Sequence, residues 1–140
     1  MAVSGTMYGK IKEYRLIDNQ LIATIDFVSN RVGRTNIEGM RVHADMTSPR
    51  RIGMGFNLFE ENQPSGTYEL SKDDKIIRNI TYSDDLGKLL SATKGFVRLK
   101  NLAPDEVLIS GQLSFTTEDY DGRYFQIHVK YEIAGIGEMP

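Results

Sequence analysis

The chain of 140 residues contains no cysteine, and this absence removes several classes of chemistry. Disulfide bonds, thiolate nucleophiles, cysteine-ligated zinc and iron–sulfur clusters are all excluded. A cysteine-free chain fits the cytoplasm, and it equally fits a secreted domain whose core is large enough without disulfides. The cysteine content therefore leaves the compartment open.

Long apolar runs are also missing. No window approaches the run of about 18 apolar residues that a membrane-spanning helix needs, so we predict no transmembrane segment. Residues 1–10 lack the charged region and apolar core of a signal peptide. We expect a cytoplasmic protein if the chain starts at its natural N-terminus, and a periplasmic or cell-surface protein if a signal was removed.

A strong charge of one sign is absent, since the formal net charge is −2. This value argues against a nucleic-acid-binding protein. Residues 1–59 nevertheless carry +3 and residues 60–140 carry −5. The asymmetry indicates either a surface for an acidic partner or the ordinary salt-balanced faces of strands and loops.

Alternation of apolar and polar residues is the strongest positive signal. Apolar residues occupy every second position in two runs, with glycine in phase at position 111. They are Val107, Ile109, Leu113 and Phe115, followed by Phe125, Ile127, Val129, Tyr131 and Ile133. A period of two places one face in the core and the other in water, so the two runs predict an antiparallel hairpin.

Similar stripes recur along the chain, as at residues 21–27 and 52–58, with turn-forming residues between them. Short strands separated by frequent turns predict an all-β fold, an antiparallel β-sandwich or flattened β-barrel of about nine or ten strands. The best candidate for a helical turn, residues 83–93, is weakened by Gly87. We predict one β domain over residues 1–140, with residues 1–5 and 135–140 frayed.

Catalytic and metal-binding signatures are sparse. The two histidines, His43 and His128, lie in strand-like segments without the neighbours that a catalytic triad requires. The acidic loop at residues 118–122 fails as an EF-hand, because the fifth and twelfth positions counted from Asp119 are Arg123 and Lys130. We therefore predict no cofactor, no metal and no enzymatic activity.

Several short motifs carry a resemblance to a known family. They are Gly66-Thr-Tyr-Glu-Leu70, Ile80-Thr-Tyr82, the run from Ile109 to Phe115 and the run from Phe125 to Ile133. Over residues 66–133 the chain resembles a family of small β-rich domains, of unassigned function, found in lipoproteins of Bacteroidetes-type bacteria. The lipid-anchoring cysteine of such proteins is missing here, and the resemblance implies no functional residues.

The sequence favours a non-enzymatic binding or interaction domain, at a bacterial surface or in the periplasm. The alternative is a calycin-like β-barrel that binds a small apolar ligand, and a hydrolase based on carboxylates is a third hypothesis. The predicted partner is an acidic protein or a small ligand, bound by four arginines in turns near Ile37 and Ile52. They are Arg31, Arg34, Arg50 and Arg51. Guanidinium groups bind carboxylate or phosphate with two hydrogen bonds, although each arginine could instead be solvated or pair with Glu38 or Asp45.

Overall fold

Ten β-strands supply the regular structure in the computed structural model, which describes residues 2–85 and 87–140. They are β1 (Ser4–Arg15), β2 (Gln20–Ser29), β3 (Arg31–Thr35), β4 (Met40–Met46), β5 (Ile52–Leu58), β6 (Gly66–Glu69), β7 (Ile77–Ser83), β8 (Leu89–Asn101), β9 (Leu108–Thr117) and β10 (Arg123–Ala134). Neither of the two described ranges contains a helix. The predicted all-β class and the strand number are therefore confirmed.

The predicted hairpin is formed by β9 and β10. Ile127 lies opposite Phe115 and Val129 lies opposite Leu113, and all four side chains are buried. The intervening residues of β10, such as His128, face solvent. The alternation fixes this register, because a shift of one residue would move every apolar side chain of the strand to the wet face.

All strand pairs are antiparallel, and the order across the sheet is β2-β1-β10-β9-β8-β7-β5-β4-β3. Both β7 and β6 pair with the same edge of the long strand β8. β7 pairs with residues 89–91 of β8, and β6 pairs with residues 96–99. Residues after β10 approach the far edge of the sheet, since Arg34 and Gly137 exchange two backbone hydrogen bonds of 3.0 and 2.7 Å. The sheet is thereby curved into a nearly closed barrel.

Inward-facing side chains fill the barrel. The largest fully buried ones include Tyr82, Phe27 and Phe56. Aromatic contacts link opposite parts of the wall: the ring centroids of Tyr82 and Phe125 are 4.8 Å apart, and those of Phe56 and Tyr131 are 5.5 Å apart. The interior is a packed core, as in other small barrels.

The structure bears on two predictions about local structure. The C-terminal segment is not frayed throughout, because Gly135 donates to the carbonyl of Val107 and Gly137 pairs with Arg34. The helical turn at residues 83–93, which Gly87 made the weaker interpretation, is absent where the structure describes the segment. There β7 ends at Ser83, the amide of Gly87 bonds to the carbonyl of Asp84, and β8 begins at Leu89. Residue 86 lies outside the described ranges.

Candidate functional site

Two of the four predicted arginines line one cleft. Arg31, at the start of β3, and Arg51, just before β5, border a cleft of about 490 Å³ together with Asp45 and Asp84. Arg31 lies directly opposite Asp45 in the β3–β4 pair. Because two carboxylates stand among the two guanidinium groups, the positive charge of this cleft is largely balanced.

Arg50 lies beside the next loop. Its Nη2 atom is 3.3 Å from Oδ1 of Asp85, in the turn after β7. The sequence analysis considered Glu38 and Asp45 as possible partners of the arginines. It missed Asp85, which lies 35 positions after Arg50 in the chain. An arginine already paired with a carboxylate is a weaker candidate for binding an external one.

Arg34 lies inside the barrel rather than in a turn. It follows Val32 in the inward phase of β3, and only 2% of it is exposed. Its Nε and Nη1 atoms have no hydrogen-bond partner among the described residues. Burial lowers the pKa of this guanidinium, opposed by the nearby Tyr131. The expectation that Arg31 and Arg34 occupy turns is therefore wrong, because both belong to β3.

Acidic and basic residues are distributed differently between the strands and the segments that connect them. Only five of the 19 acidic residues lie in strands, whereas twelve of the 17 Lys and Arg residues do. Acidic side chains suit turns, where they bond to nearby backbone amides. The net charge of −2 therefore conceals a wall that is locally basic.

A groove runs across the outside of this wall. We call it the outer groove; it has a volume of about 520 Å³ and crosses β1, β10, β9 and β8. Its lining includes Lys10, Lys12, Lys94, Phe96, Ser114 and His128. All six lie on the side of the sheet opposite the core.

Strand register brings these residues together in two rows. In the first row, Lys12 lies opposite Gln126, Gln126 opposite Thr116, and Thr116 opposite Lys94. In the second row, the sequence of neighbours across the same four strands is Lys10, His128, Ser114 and Phe96. Neighbouring strands are about 4.8 Å apart, so each row spans roughly 14 Å.

A β-bulge in β8 sets the position of Lys94. The pairing with β9 shifts between Ala92 and Lys94, so Thr93 is the extra residue. In a regular strand, residues 92 and 97 would point to opposite faces, because their positions differ by an odd number. The extra residue allows both Ala92 and Val97 to face inward. Lys94 consequently faces the outer groove, as expected where a bulge re-aims side chains.

Lys12 and Lys94 provide the free charge of the outer groove. Within the described ranges neither forms an ion pair. Lys10 pairs with Asp26 of β2, and Glu69, the acidic residue of the lining, has Lys72 at 3.5 Å. The row from Lys12 to Lys94 therefore carries two cations separated by neutral side chains.

Histidine and acidic side chains are further candidates for site residues. No three Asp, Glu or His side chains in residues 2–85 and 87–140 converge where they could hold a metal ion. His43 is half-buried in β4, where burial is the main cause of its lowered pKa. The buried carboxylate of Glu13 is occupied by Nη1 of Arg123 at 2.9 Å.

The acidic loop at residues 118–122 is a hairpin turn. Asp121 and Gly122 have φ values of 54° and 74°, and Tyr120 and Arg123 exchange two backbone hydrogen bonds around them. Two successive residues with positive φ are typical of the tight turns that connect antiparallel strands, where Asp and Gly are preferred. Turn geometry thus accounts for this Asp-Gly pair.

Comparison with protein-family models gives no match, and no curated protein or solved structure matches the chain significantly. The part of the chain that the structure describes has no helix that is long and apolar enough to cross a membrane.

Proposed function

We propose that this protein is a non-enzymatic binding domain whose outer groove binds an anionic group of a small ligand or of an acidic protein. The observation that carries the proposal is the pair of unpartnered cations, Lys12 and Lys94, at the two ends of a neutral row. Ammonium groups are strong donors to carboxylate and phosphate oxygens, and hydroxyl and amide groups between them add neutral donors.

The cleft at Arg31 and Arg51 has less support as the principal site. Asp45 and Asp84 share that cleft, and an external anion would have to approach them as well. Like charges brought together in an interface oppose binding, whereas the outer groove has a single carboxylate in its lining. The lysine-lined groove is therefore the better candidate.

The calycin-like alternative places the ligand inside the barrel. Bulky side chains such as Phe27, Phe56 and Tyr82 occupy that space, so an apolar ligand would have to displace packed core. The hydrolase hypothesis lacks a pair of facing carboxylates at the outer groove. The resemblance of residues 66–133 supports the hypothesis of a bacterial surface or periplasmic domain, and it does not identify a ligand.

The proposal is tested with two anionic probes, inorganic tripolyphosphate and a fluorescent deca-glutamate peptide, titrated in low salt. We expect binding of at least one probe, and a loss of about tenfold in affinity, or about 1.4 kcal/mol, for the double variant Lys12→Gln, Lys94→Gln. The matched control is Lys75→Gln, Lys88→Gln, which removes the same charge from exposed positions elsewhere. Equal losses in both double variants, or no binding of either probe to the wild type, would refute the proposal.

A further inference from the structure

An aromatic ring stands among the cations of the outer groove. Phe96 lies on β8 between Lys94 and Arg98, and all three follow the same outward phase. The Cζ atom of Arg98 is 5.5 Å from the centroid of the Phe96 ring. A simple anion needs only the cations, so a groove shaped by a partly exposed phenyl ring fits a ligand that also has a flat apolar part.

The spacing of the groove suits a ligand with two chemically different ends. Phe96 and Lys10 lie at the two ends of the second row, and the hydroxyl of Ser114 and the imidazole of His128 lie between them. The backbone-to-backbone distance along the row is roughly 14 Å, set by three strand spacings. The volume of about 520 Å³ lies within the range of about 300–1,000 Å³ typical of small-molecule sites. A ring stacked on Phe96 could therefore be joined to phosphates near Lys94, Lys12 or Lys10.

The same chemistry continues beyond the groove on the outer side of the wall. Tyr8, 49% exposed, lies opposite Lys130, which lies opposite Gln112, and Gln112 lies opposite Arg98. Lys130 forms no ion pair with any described residue. Aromatic side chains interleaved with cations are the arrangement by which proteins bind nucleotide bases and their phosphates together.

We infer that the outer groove recognises a nucleotide unit, with the base stacked on Phe96 and the phosphate held by Lys94 and Lys12. This inference rests on the proposed function and adds the aromatic half of the ligand. The nucleotide unit can come from a free mononucleotide or from a single-stranded nucleic acid, because the recognised chemistry is the same. The net charge of the chain argues against nucleic-acid binding. The phosphates of a bound strand, however, would interact with the positive charges of the nearby wall rather than with the net charge.

The test compares ATP, inorganic tripolyphosphate and adenosine by isothermal titration calorimetry in the presence of EDTA. We expect ATP to bind at least tenfold more tightly than tripolyphosphate or adenosine. Phe96→Leu should weaken ATP binding about tenfold and leave tripolyphosphate within twofold, and Phe96→Tyr should restore ATP binding. Lys94→Gln should weaken both. The variants should fold, since Phe96 faces outward, and thermal unfolding of each variant verifies this.

The outcomes separate the inference from the proposal beneath it. If ATP and tripolyphosphate bind equally and Phe96→Leu changes neither, the nucleotide inference is overturned while the anion site stands. If neither ATP nor tripolyphosphate binds, the nucleotide inference is overturned, and the anion proposal is overturned with it when the deca-glutamate peptide also fails to bind. A ten-nucleotide oligothymidylate distinguishes the sources: at least tenfold tighter binding than thymidine triphosphate supports a single strand, and equal or weaker binding supports a free nucleotide.

Discussion

Replacing Arg34 with methionine should stabilise the protein, although a charged residue of the natural sequence is lost. The side chain is 2% exposed, and its Nε and Nη1 atoms have no hydrogen-bond partner in the described structure. A buried donor without a partner costs about 1–3 kcal/mol, and more when it is charged. Methionine has a similar length and adapts to irregular space, so the cavity should be small.

The expected gain follows from these two donors. Replacement of buried ionic groups by apolar side chains of similar volume ranges from neutral to a stabilisation of about 1–4 kcal/mol. We expect the free energy of unfolding to rise by about 2 kcal/mol, which corresponds to roughly 7 °C in Tm for a chain of this size. Urea unfolding followed by circular dichroism measures it.

Arg31→Met is the matched control, since Arg31 begins the same strand and is exposed. Its unfolding free energy should stay within about 0.5 kcal/mol of the wild type. A lower unfolding midpoint for Arg34→Met would refute the reasoning. It would mean that ordered water or an internal anion satisfies the guanidinium, and that the charge contributes to stability.

Three further predictions concern the core and its titration. Phe115→Ala should lower the unfolding free energy by about 3–5 kcal/mol, because Phe115 is 3% exposed in the core. The control Gln112→Ala, on the outer face of the same strand, should change the unfolding free energy little. A urea midpoint that Phe115→Ala leaves unchanged would contradict the register of β9. Burial, assisted by the charge of Asp84, raises the pKa of Tyr82 above the ordinary 10.0, so the unfolded state loses the proton first and stability falls as pH rises above 10. Tyr82→Phe should make Tm fall less steeply between pH 9 and about 11, and an identical slope would be evidence against this cause. EDTA should leave the thermal unfolding curve of the wild type in place, and a drop of several degrees would reveal a structural metal.

Local alternation was sufficient to predict the class of the fold and its clearest hairpin. Ile109, Phe115, Ile127 and Val129 all point inward as expected, because a half-buried strand has a period of two wherever it lies in the sheet. Pairing between distant strands has no such local signal. The contact between β1 and β10 joins residues more than a hundred positions apart, and it alone brings Lys12 beside Gln126.

Arg34 shows a different limit of sequence reasoning. The sequence analysis placed Arg34 in a turn, and charged residues are rarely fully buried. The signal that could have located it is its position two residues after Val32, which puts both side chains on the same face of β3. The outer groove was missed for a third reason. Lys12 and Lys94 are 82 positions apart, and each is unremarkable in its own strand until the strand order and the bulge at Thr93 place both on one row.

A basic wall does not by itself require a ligand. Lysine and arginine cover sheet surfaces with their apolar stems, and turns attract acidic residues, so the two signs separate for structural reasons alone. A cross-strand carboxylate can compensate a lysine on such a wall, as Asp26 does for Lys10. Lys12 has only Thr24 and Gln126 as its cross-strand neighbours, and Lys94 faces Thr116. The positive charge stays uncompensated where the wall is also concave and holds a partly exposed phenyl ring, and this combination is the basis of the proposed binding function.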